Sequence, residues 1–140
     1  MGKRRRSREL AIKVIFHLQF SKDDDPAATF DLICNNFEAS QDIQVFSREL
    51  VLGVYSHMHE LDDLITQASR NWRLERIARV DLSILRLAVY ELLYRDDIPP
   101  KVSINEAVDM GKKFGGIDSG AFINGILDKV YNALIDNKPS

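Results

Sequence analysis

The chain has 140 residues, of which 45% are hydrophobic, and a formal net charge of −2 at pH 7. This size is typical of a single domain with a substantial core, and no apolar run approaches the about 18 residues that a membrane span requires. The N-terminus is basic and then amphipathic, unlike a signal peptide, and the single cysteine, Cys34, excludes an internal disulfide and fits a reducing cytoplasm.

Positive charge is concentrated at the N-terminus. Residues 1–9 carry five basic side chains and one acidic one, a net charge of +4, whereas the rest of the chain carries 14 basic and 20 acidic side chains, a net charge of −6. The basic residues are Lys3, Arg4, Arg5, Arg6 and Arg8. A mildly acidic body with a basic end predicts contact with a polyanion at one place. A disordered, solvated tip is the alternative.

The first helix is predicted from about Arg4 to Phe20, and it has two apolar stripes. Its core stripe consists of Leu10, Ala11, Val14, Ile15 and Leu18. A second stripe, with i, i+4, i+8 spacing, lies roughly 160° from the first and consists of Ile12, Phe16 and Phe20. One helix of a small bundle cannot bury both stripes in the same core. The second stripe therefore either packs under another part of the chain or is exposed to a partner protein.

Three further helices are predicted in the first half, at about 26–38, 43–57 and 60–70. Pro26 suits the first turn of the earliest of them. Gly53 is tolerated within the next and permits a close helix crossing.

Arginines surround the only tryptophan in the segment that follows. This segment, RNWRLERIAR at 70–79, contains Arg70, Arg73, Arg76 and Arg79 beside Trp72. Four cations around an aromatic ring favour a second nucleic-acid contact. The alternative is that Trp72 belongs to the core and the arginines form a solvated face.

Residues 79–95 predict a helix that is apolar on nearly every side, and such a helix belongs in the centre of a helical protein. Glu91 lies within its apolar stripe. An ionised carboxylate at that position needs a charged partner or several backbone donors, so Glu91 is predicted to have a structural role.

Two more helices are predicted after the proline pair of the DDIPP segment. The spacing Ser103-x-x-Glu106 predicts a capping box that opens the sixth helix. Gly115 and Gly116 end this helix, and the last helix spans about 119–135. Because the sequence shows no strand periodicity of useful length, it predicts an all-α fold of about seven helices.

Catalytic motifs are absent from the sequence. It contains no Gly-rich phosphate loop, no Gly-x-Ser-x-Gly elbow and no His-Glu-x-x-His pair. The best acid–base candidates, Glu91, Glu106 and Asp109, all have structural explanations. The three histidines form no cluster with other ligands. We therefore expect no enzyme, no metal site and no cofactor.

Several sequence blocks carry a resemblance to a known family. In residues 84–130 they are LRLAVYEL, IPPKVSINEAVDMGKKFG and FINGILD. The N-terminal RRRSRELAIKVIFHLQF and the central FSRELVLGVYSHMHELDDLI also fit. On these blocks the chain resembles the NusB family of transcription antitermination factors, over essentially its whole length.

The resemblance implies a fold and a function. The fold is two packed three-helix bundles in a single RNA-binding domain over 1–140, with an N-terminal bundle at about 1–75 and a C-terminal bundle at about 76–138. The function is that of a non-enzymatic, cytoplasmic factor that binds the single-stranded boxA element of ribosomal RNA leader transcripts. It binds with NusE, a ribosomal protein of the small subunit. The complex joins other Nus factors on RNA polymerase and supports processive rRNA transcription.

The resemblance also implies the residues of two interfaces. The residues expected to contact RNA are Lys3, Arg4, Arg5, Arg6 and Arg8, then Arg70, Arg73 and Arg76 near the 70–79 connection, and finally Asp118 and Phe122. Asn124 joins them on a separate ground, because its amide could hydrogen-bond a splayed base of single-stranded RNA. The residues expected to contact NusE are Phe16, Phe20, Asp81 and Arg86, together with Ile12 from the same stripe.

Other hypotheses stay open. The chain could be a helical protein-interaction adaptor without specific RNA binding, or the leading domain of an rRNA cytosine methyltransferase, in which case it would be a fragment. The stripe of Ile12, Phe16 and Phe20 is also a candidate seam for a homodimer. Phe122 lies at the edge of its apolar stripe, so the sequence allows two interpretations: Phe122 belongs to the core, or it contacts RNA.

Overall fold

The computed structural model describes residues 2–70 and 72–136, which form seven α-helices and one short 3-10 helix and contain no strand. The α-helices are α1 (Lys3–Phe20), α2 (Pro26–Cys34), α3 (Gln41–Ser56), α4 (Met58–Ala68), α5 (Arg79–Tyr94), α6 (Pro100–Phe114) and α7 (Ser119–Asp136). The 3-10 turn spans Leu74–Arg76. The predicted all-α class is confirmed. In the described part of the chain, no helix is long and apolar enough to cross a membrane.

Helix α5 belongs to one of two groups of three helices and also contacts the other group. Helices α1, α2 and α3 pack against one another, as do α5, α6 and α7, and α4 packs against α5 and α7. Because α5 also contacts α1 and α3, it joins the two groups. Its side chains Ile84, Leu85 and Val89 are fully buried, and each such burial stabilises the fold by about 1.5–3 kcal/mol. The position predicted for residues 79–95 is therefore confirmed.

The ends of the early helices follow from local chemistry. Asp25 precedes α2, and its carboxylate accepts a hydrogen bond from the backbone N–H of Ala28 at 2.9 Å, with Pro26 in the first turn as expected. Helix α2 ends at Cys34, four residues before the predicted end. His57 separates α3 from α4, since its backbone leaves the helical region at φ −124° and ψ 17°.

The predicted capping box at the start of the sixth helix is wrong. Helix α6 begins at Pro100, because a proline at the first helical position loses no intrahelical hydrogen bond. Ser103 is therefore already inside the helix, where it is buried and donates a hydrogen bond from Oγ to Glu91 Oε1 at 2.7 Å. Glu106 forms ion pairs with Arg5 and Arg8. Both residues thus fix α6 against its neighbours.

Gly53 allows the close helix crossing that the sequence predicts. It lies in α3 opposite Tyr90 of α5, and a Cβ at this position would overlap the Tyr90 ring. The absence of a side chain therefore sets how closely α3 approaches the central helix.

Candidate nucleic-acid and protein interfaces

The basic N-terminus is part of α1, and most of its side chains are held in place. Lys3 Nζ lies 3.0 Å from Asp42 Oδ2, although both side chains are largely exposed. The Arg4 guanidinium lies 3.8 Å from the centre of the Phe46 ring, and the Arg6 guanidinium lies 4.0 Å from that of Phe37. These contacts present cations from a rigid helix, in contrast to the disordered tip that was the alternative.

Arg8 differs from its basic neighbours because it is buried, with 2% of its side chain exposed. Its Nε lies 2.8 Å from Glu91 Oε2, its Nη2 lies 2.9 Å from Glu91 Oε1, and its Nη1 lies 3.3 Å from Glu106 Oε1. The prediction that Arg8 contacts RNA is therefore wrong, since a phosphate could reach it only by opening the core. Glu91 has the charged partner that its position required, which supports its predicted structural role.

Arg5 lies at the edge of the same ion-pair network. It hydrogen-bonds the Glu106 carboxylate, and its Nη2 lies 3.0 Å from Asp109 Oδ2. The hydrogen bond from Arg5 holds the pKa of Glu106 below its usual value, and the same bond raises the pKa of Arg5. A phosphate can approach Arg5, because 24% of its side chain is exposed. It must compete with Glu106 and Asp109, because both carboxylates already bind the guanidinium.

Trp72 and Phe122 form an aromatic ridge between α7 and the segment after α4. Their ring centroids are 6.3 Å apart in an edge-to-face arrangement. Trp72 is 50% exposed, so it is not a core residue, and Phe122 is half-buried against the core. The remaining predicted RNA contacts of this region are all exposed, namely Arg70, Arg73, Arg76, Asp118 and Asn124.

The aromatic ridge separates two clefts with opposite charge. The first, here named the Asp81 cleft, has a volume of about 480 Å³ and contains Asp81 and Asp118, with Arg76 as its cation. The second, named the cationic cleft, has a volume of about 330 Å³ and contains Arg70 and Lys129. Trp72 and Phe122 line both clefts.

Asp81 lies in this region and not on the predicted NusE surface. Its side chain is 7% exposed and contacts the turn between α6 and α7, where a Cβ on Gly115 would lie 2.9 Å from Asp81 Oδ1. Among the described residues, no donor hydrogen-bonds Oδ1. Grouping Asp81 with Phe16 and Phe20 is therefore corrected, because the first turn of α5 points this carboxylate toward α7.

The second stripe of α1 is divided between core and surface. Ile12 is 6% exposed and belongs to the core, so its predicted contact with a partner is wrong. Phe20 is 60% exposed, and its ring contacts the half-buried Phe16 edge-to-face with 5.2 Å between centroids. The Arg79 guanidinium lies 4.5 Å from the Phe20 ring centre. The free apolar surface therefore lies at the C-terminal end of α1.

A groove runs beside this end of α1. It has a volume of about 360 Å³ and is lined by residues of α1, α3, α4 and α5, including Gln19, Leu82 and Arg86. The Arg86 guanidinium is held by Asp62 through two hydrogen bonds of 2.8 and 3.0 Å, and 12% of its side chain is exposed. Arg86 therefore reaches the groove with its charge already paired.

The two candidate RNA surfaces lie toward opposite ends of α5. Arg8 of the basic end contacts Glu91, whereas the aromatic ridge lies beside Asp81, ten residues earlier in α5. At 1.5 Å per residue, the two surfaces are about 15 Å apart along the helix. The structure thus does not bring all predicted RNA contacts into one cluster. The Asp81 cleft lacks a distinctive sequence signal, because only the fold brings the first turn of α5 beside Phe122.

Within the described residues, no group of His, Cys, Asp and Glu side chains is arranged to hold a metal ion. Cys34 is buried, and this burial raises the pKa of its thiol.

Comparison with known proteins gives one consistent result. The family model described as "NusB family" matches residues 5–132. The transcription antitermination protein NusB of Desulfatibacillum aliphaticivorans is 50% identical over 131 residues, which cover 94% of this chain and 91% of the relative. A structure of T. maritima NusB is 34% identical, with a TM-score of 0.86 and coverage of 94% of this chain and 92% of that chain.

A further similar structure contains partners. It is a chain from a crystal structure of antitermination factors NusB and NusE in complex with double-stranded RNA. That chain is 25% identical to this one, with a TM-score of 0.84 and coverage of 95% of this chain and 98% of that chain.

Proposed function

The chain belongs to the NusB family, and from this premise we propose that it is a transcription antitermination protein that binds RNA together with NusE. Its RNA target is the boxA element of ribosomal RNA leader transcripts. Its role is non-enzymatic: with NusE it joins other Nus factors on RNA polymerase in the cytoplasm and supports processive rRNA synthesis.

The observation that carries this proposal is the ordered basic end of α1. Lys3 and Arg4 are exposed on a helix that Arg8 anchors to the core, and Arg6 is half-exposed beside them. Cations held at fixed positions lose less conformational freedom on binding a phosphate than cations on a mobile tail. Neutralising phosphates releases counterions, so binding at this end is strongly salt-dependent.

In this proposal, the surface formed by the aromatic ridge of Trp72 and Phe122 recognises the bases. Proteins that read single-stranded RNA stack splayed bases on aromatic side chains and hydrogen-bond their exposed edges. The aromatic ridge supplies the faces, while Asp118 and Asn124 on either side of Phe122 supply exposed polar groups. Arg70, Arg73 and Arg76 supply nearby positive charge.

NusE binds at the C-terminal end of α1 in this proposal. Phe20 and Phe16 offer an apolar surface, and the groove that contains Arg86 lies beside them. An exposed aromatic next to a concave groove is the kind of anchor on which protein interfaces depend. The surface lies at the opposite end of α1 from the basic residues, so NusE and the N-terminal RNA contact do not compete for the same residues.

The decisive experiment measures RNA binding by fluorescence anisotropy with a boxA strand and a scrambled strand of the same composition, each with and without NusE. We expect the boxA strand to bind more tightly and the preference to increase with NusE, because two linked RNA-binding surfaces act together. Equal, weak binding of both strands, unchanged by NusE, would overturn the proposal and favour an adaptor that binds only proteins.

A further inference from the structure

The two clefts beside the aromatic ridge offer opposite environments to a polyanion. Asp81 and Asp118 line the first against Arg76 alone, so its net charge is negative. The cationic cleft holds Arg70 and Lys129, and none of the described residues that line it is acidic. Because a phosphate backbone is attracted to positive charge and repelled by negative charge, it is favoured on the side of the ridge that contains the cationic cleft.

The cationic cleft has an aromatic wall, a gap and a cation in a row along α7. Phe122, Gly125 and Lys129 have i, i+3, i+7 spacing, so they lie on one face of this helix. Gly125 is exposed, and a Cβ at this position would meet no atom within 4 Å. A ligand therefore has room against the helix between the Phe122 ring and the Lys129 ammonium group.

Trp72 completes the wall of the cleft and is held in place by the end of α4. Its backbone N–H donates a hydrogen bond to the carbonyl oxygen of the buried Ser69 at 2.7 Å, and its ring contacts Phe122 edge-to-face. Half of the Trp72 side chain nevertheless stays exposed. A fixed ring with a free face stacks on a base at little cost in conformational freedom, and bases of every kind stack on such rings.

We propose that the cationic cleft binds the sugar–phosphate backbone of the RNA strand, with Lys129 and Arg70 on its phosphates and one base stacked on Trp72. This inference rests on the proposed RNA-binding function and gives the strand a route along α7, away from the Asp81 cleft. It also adds Lys129 to the RNA contacts expected from the sequence. Lysine binds phosphate as a point charge on a flexible stem, so it can follow the backbone of strands of any sequence.

An acidic protein segment is the competing occupant, since Arg70 and Lys129 also attract carboxylates. The exposed ring of Trp72 favours RNA over such a segment. An acidic peptide pairs with the cations and leaves the free face of the ring in water. A nucleotide pairs its phosphate with the cations and covers the ring with its base.

The test blocks one cleft at a time in the full chain. Gly125→Gln puts a neutral side chain into the cationic cleft, where a Cβ has open space. Gly116→Gln is the matched control, because it puts the same side chain beside the Asp81 cleft, where a Cβ would meet only Ser119 Oγ, at 4.0 Å. Neither glycine has a positive φ, so both backbones accept a side chain. Thermal unfolding checks that both variants fold.

We expect the affinity for the boxA strand, measured by fluorescence anisotropy, to fall about tenfold in Gly125→Gln and to stay unchanged in Gly116→Gln. Trp72 is the only tryptophan of the chain, so RNA should quench the fluorescence of the unmodified chain and of Gly116→Gln, but not that of Gly125→Gln.

A second comparison removes charge and needs no blocked cleft. Lys129→Ala should reduce the slope of log affinity against log salt by about 0.7, the contribution of one phosphate contact of a single strand. Lys22→Ala removes an exposed lysine far from α7 in the sequence and should keep the slope. This comparison tests the inference even if Gly125→Gln does not fold.

Any one of three results would overturn the inference. The first is equal affinity of the two glutamine variants for RNA, or a loss confined to Gly116→Gln, which would place the strand in the Asp81 cleft. The second is an unchanged salt slope in Lys129→Ala. The third is quenching of Trp72 by polyglutamate, dependent on Lys129, without quenching by RNA; this would assign the cleft to an acidic protein segment.

Failure of this inference can be told apart from failure of the proposed function. If the unmodified chain prefers boxA RNA and binds it more tightly with NusE, but the cleft variants bind equally well, only the route of the strand is wrong. If the unmodified chain binds no RNA, the proposed function fails with it.

Discussion

Arg8 and Glu91 form a two-point ion pair in the core, with N–O distances of 2.8 and 2.9 Å and side chains that are 2% and 1% exposed. The pair joins α1 to α5, and Ser103 adds a hydrogen bond from α6 to the same carboxylate. Three helices therefore meet at one buried charge pair, and this pair fixes the orientation of the helix that carries the exposed cations.

Removing one charge of this pair should destabilise the protein strongly. Glu91→Gln leaves the Arg8 guanidinium buried without its counter-ion, so we expect the free energy of unfolding to fall by about 3–5 kcal/mol. Urea denaturation measures the change. Lys3→Ala is the control, because its ion pair with Asp42 is exposed and such pairs contribute about 0–1 kcal/mol. Similar losses in both variants would show that burial of Arg8 does not matter.

Stability should depend on pH through Glu106. In the folded state, hydrogen bonding by Arg5 lowers the pKa of this carboxyl from its ordinary value of 4.5. A group with a lowered folded pKa binds fewer protons when folded, so its stabilising contribution is present above pH 4.5 and is lost as the pH falls through the folded pKa. The unfolding free energy of the unmodified chain should therefore drop more steeply as the pH falls below 4.5 than that of Glu106→Gln. Glu38→Gln, at an exposed position, should keep the steep slope.

The exposed cations of α1 should determine the salt dependence of RNA binding. Replacing both Arg4 and Arg6 with Ala should reduce the slope of log affinity against log salt by about 1.4, since each lost phosphate contact of a single strand contributes about 0.7. Lys22→Ala combined with Arg48→Ala removes the same charge elsewhere and should leave the slope nearly unchanged. Equal slopes for the two double variants would show that Arg4 and Arg6 do not contact RNA.

Replacing Phe20 should weaken the binding of NusE and leave the stability of the fold nearly unchanged. Phe20→Ser replaces a side chain that is 60% exposed, so the melting temperature should change by only about 2–4 °C or less. Affinity for NusE should fall at least about tenfold if Phe20 is an anchor of the interface. Leu32→Ser, at a position on α2 that is 65% exposed, is the matched control and should bind NusE normally. Full NusE binding by the Phe20 variant would place the interface elsewhere.

Two helical glycines should respond oppositely to the same change. Gly125 has open space where a Cβ would be, so Gly125→Ala should stabilise the protein by about 0.5–1 kcal/mol through helix propensity. A Cβ at Gly53 would overlap the Tyr90 ring, so Gly53→Ala should destabilise it by about 1–3 kcal/mol despite that propensity. Thermal unfolding distinguishes the two. Stabilisation by both changes would show that α3 and α5 can move apart at no cost.

The helices were predictable because the periodicity that indicates them is local. How deeply each charged side chain is buried was not predictable, because burial depends on tertiary packing. Arg8 follows a run of arginines and looked like one more exposed cation. A signal was present, since Arg8 lies three and seven residues before the buried Ala11 and Ile15 and thus continues the core stripe of α1. Glu91 showed its need for a partner through its apolar surroundings, yet the identity of that partner depends on tertiary packing.

The start of α6 and the position of Asp81 show two other limits. From sequence alone, Pro100 can end one helix or begin the next. Proline fits the first turn of a helix, so α6 begins at Pro100 and Ser103 lies inside the helix. Asp81 lies in the first turn of α5, where a carboxylate interacts favourably with the helix dipole in any protein. Its position in the sequence therefore gives no sign of a special role. Only the contact of α5 with α7 shows that this carboxylate is buried and that, within residues 2–70 and 72–136, its Oδ1 has no donor.

The ion pairs of Arg8 also set an order of events during synthesis. Arg8 is separated by 83 residues from Glu91 and by 98 from Glu106, so α1 leaves the ribosome long before either carboxylate exists. Until α5 and α6 follow, the Arg8 guanidinium stays hydrated and α1 has only its nearest helices to pack against. The loops that these two ion pairs close are long, so closing them costs more conformational entropy than forming the contacts of α1 with α2 and α3. Arg8 thus gains both of its counter-ions only in a chain that has been translated through Glu106.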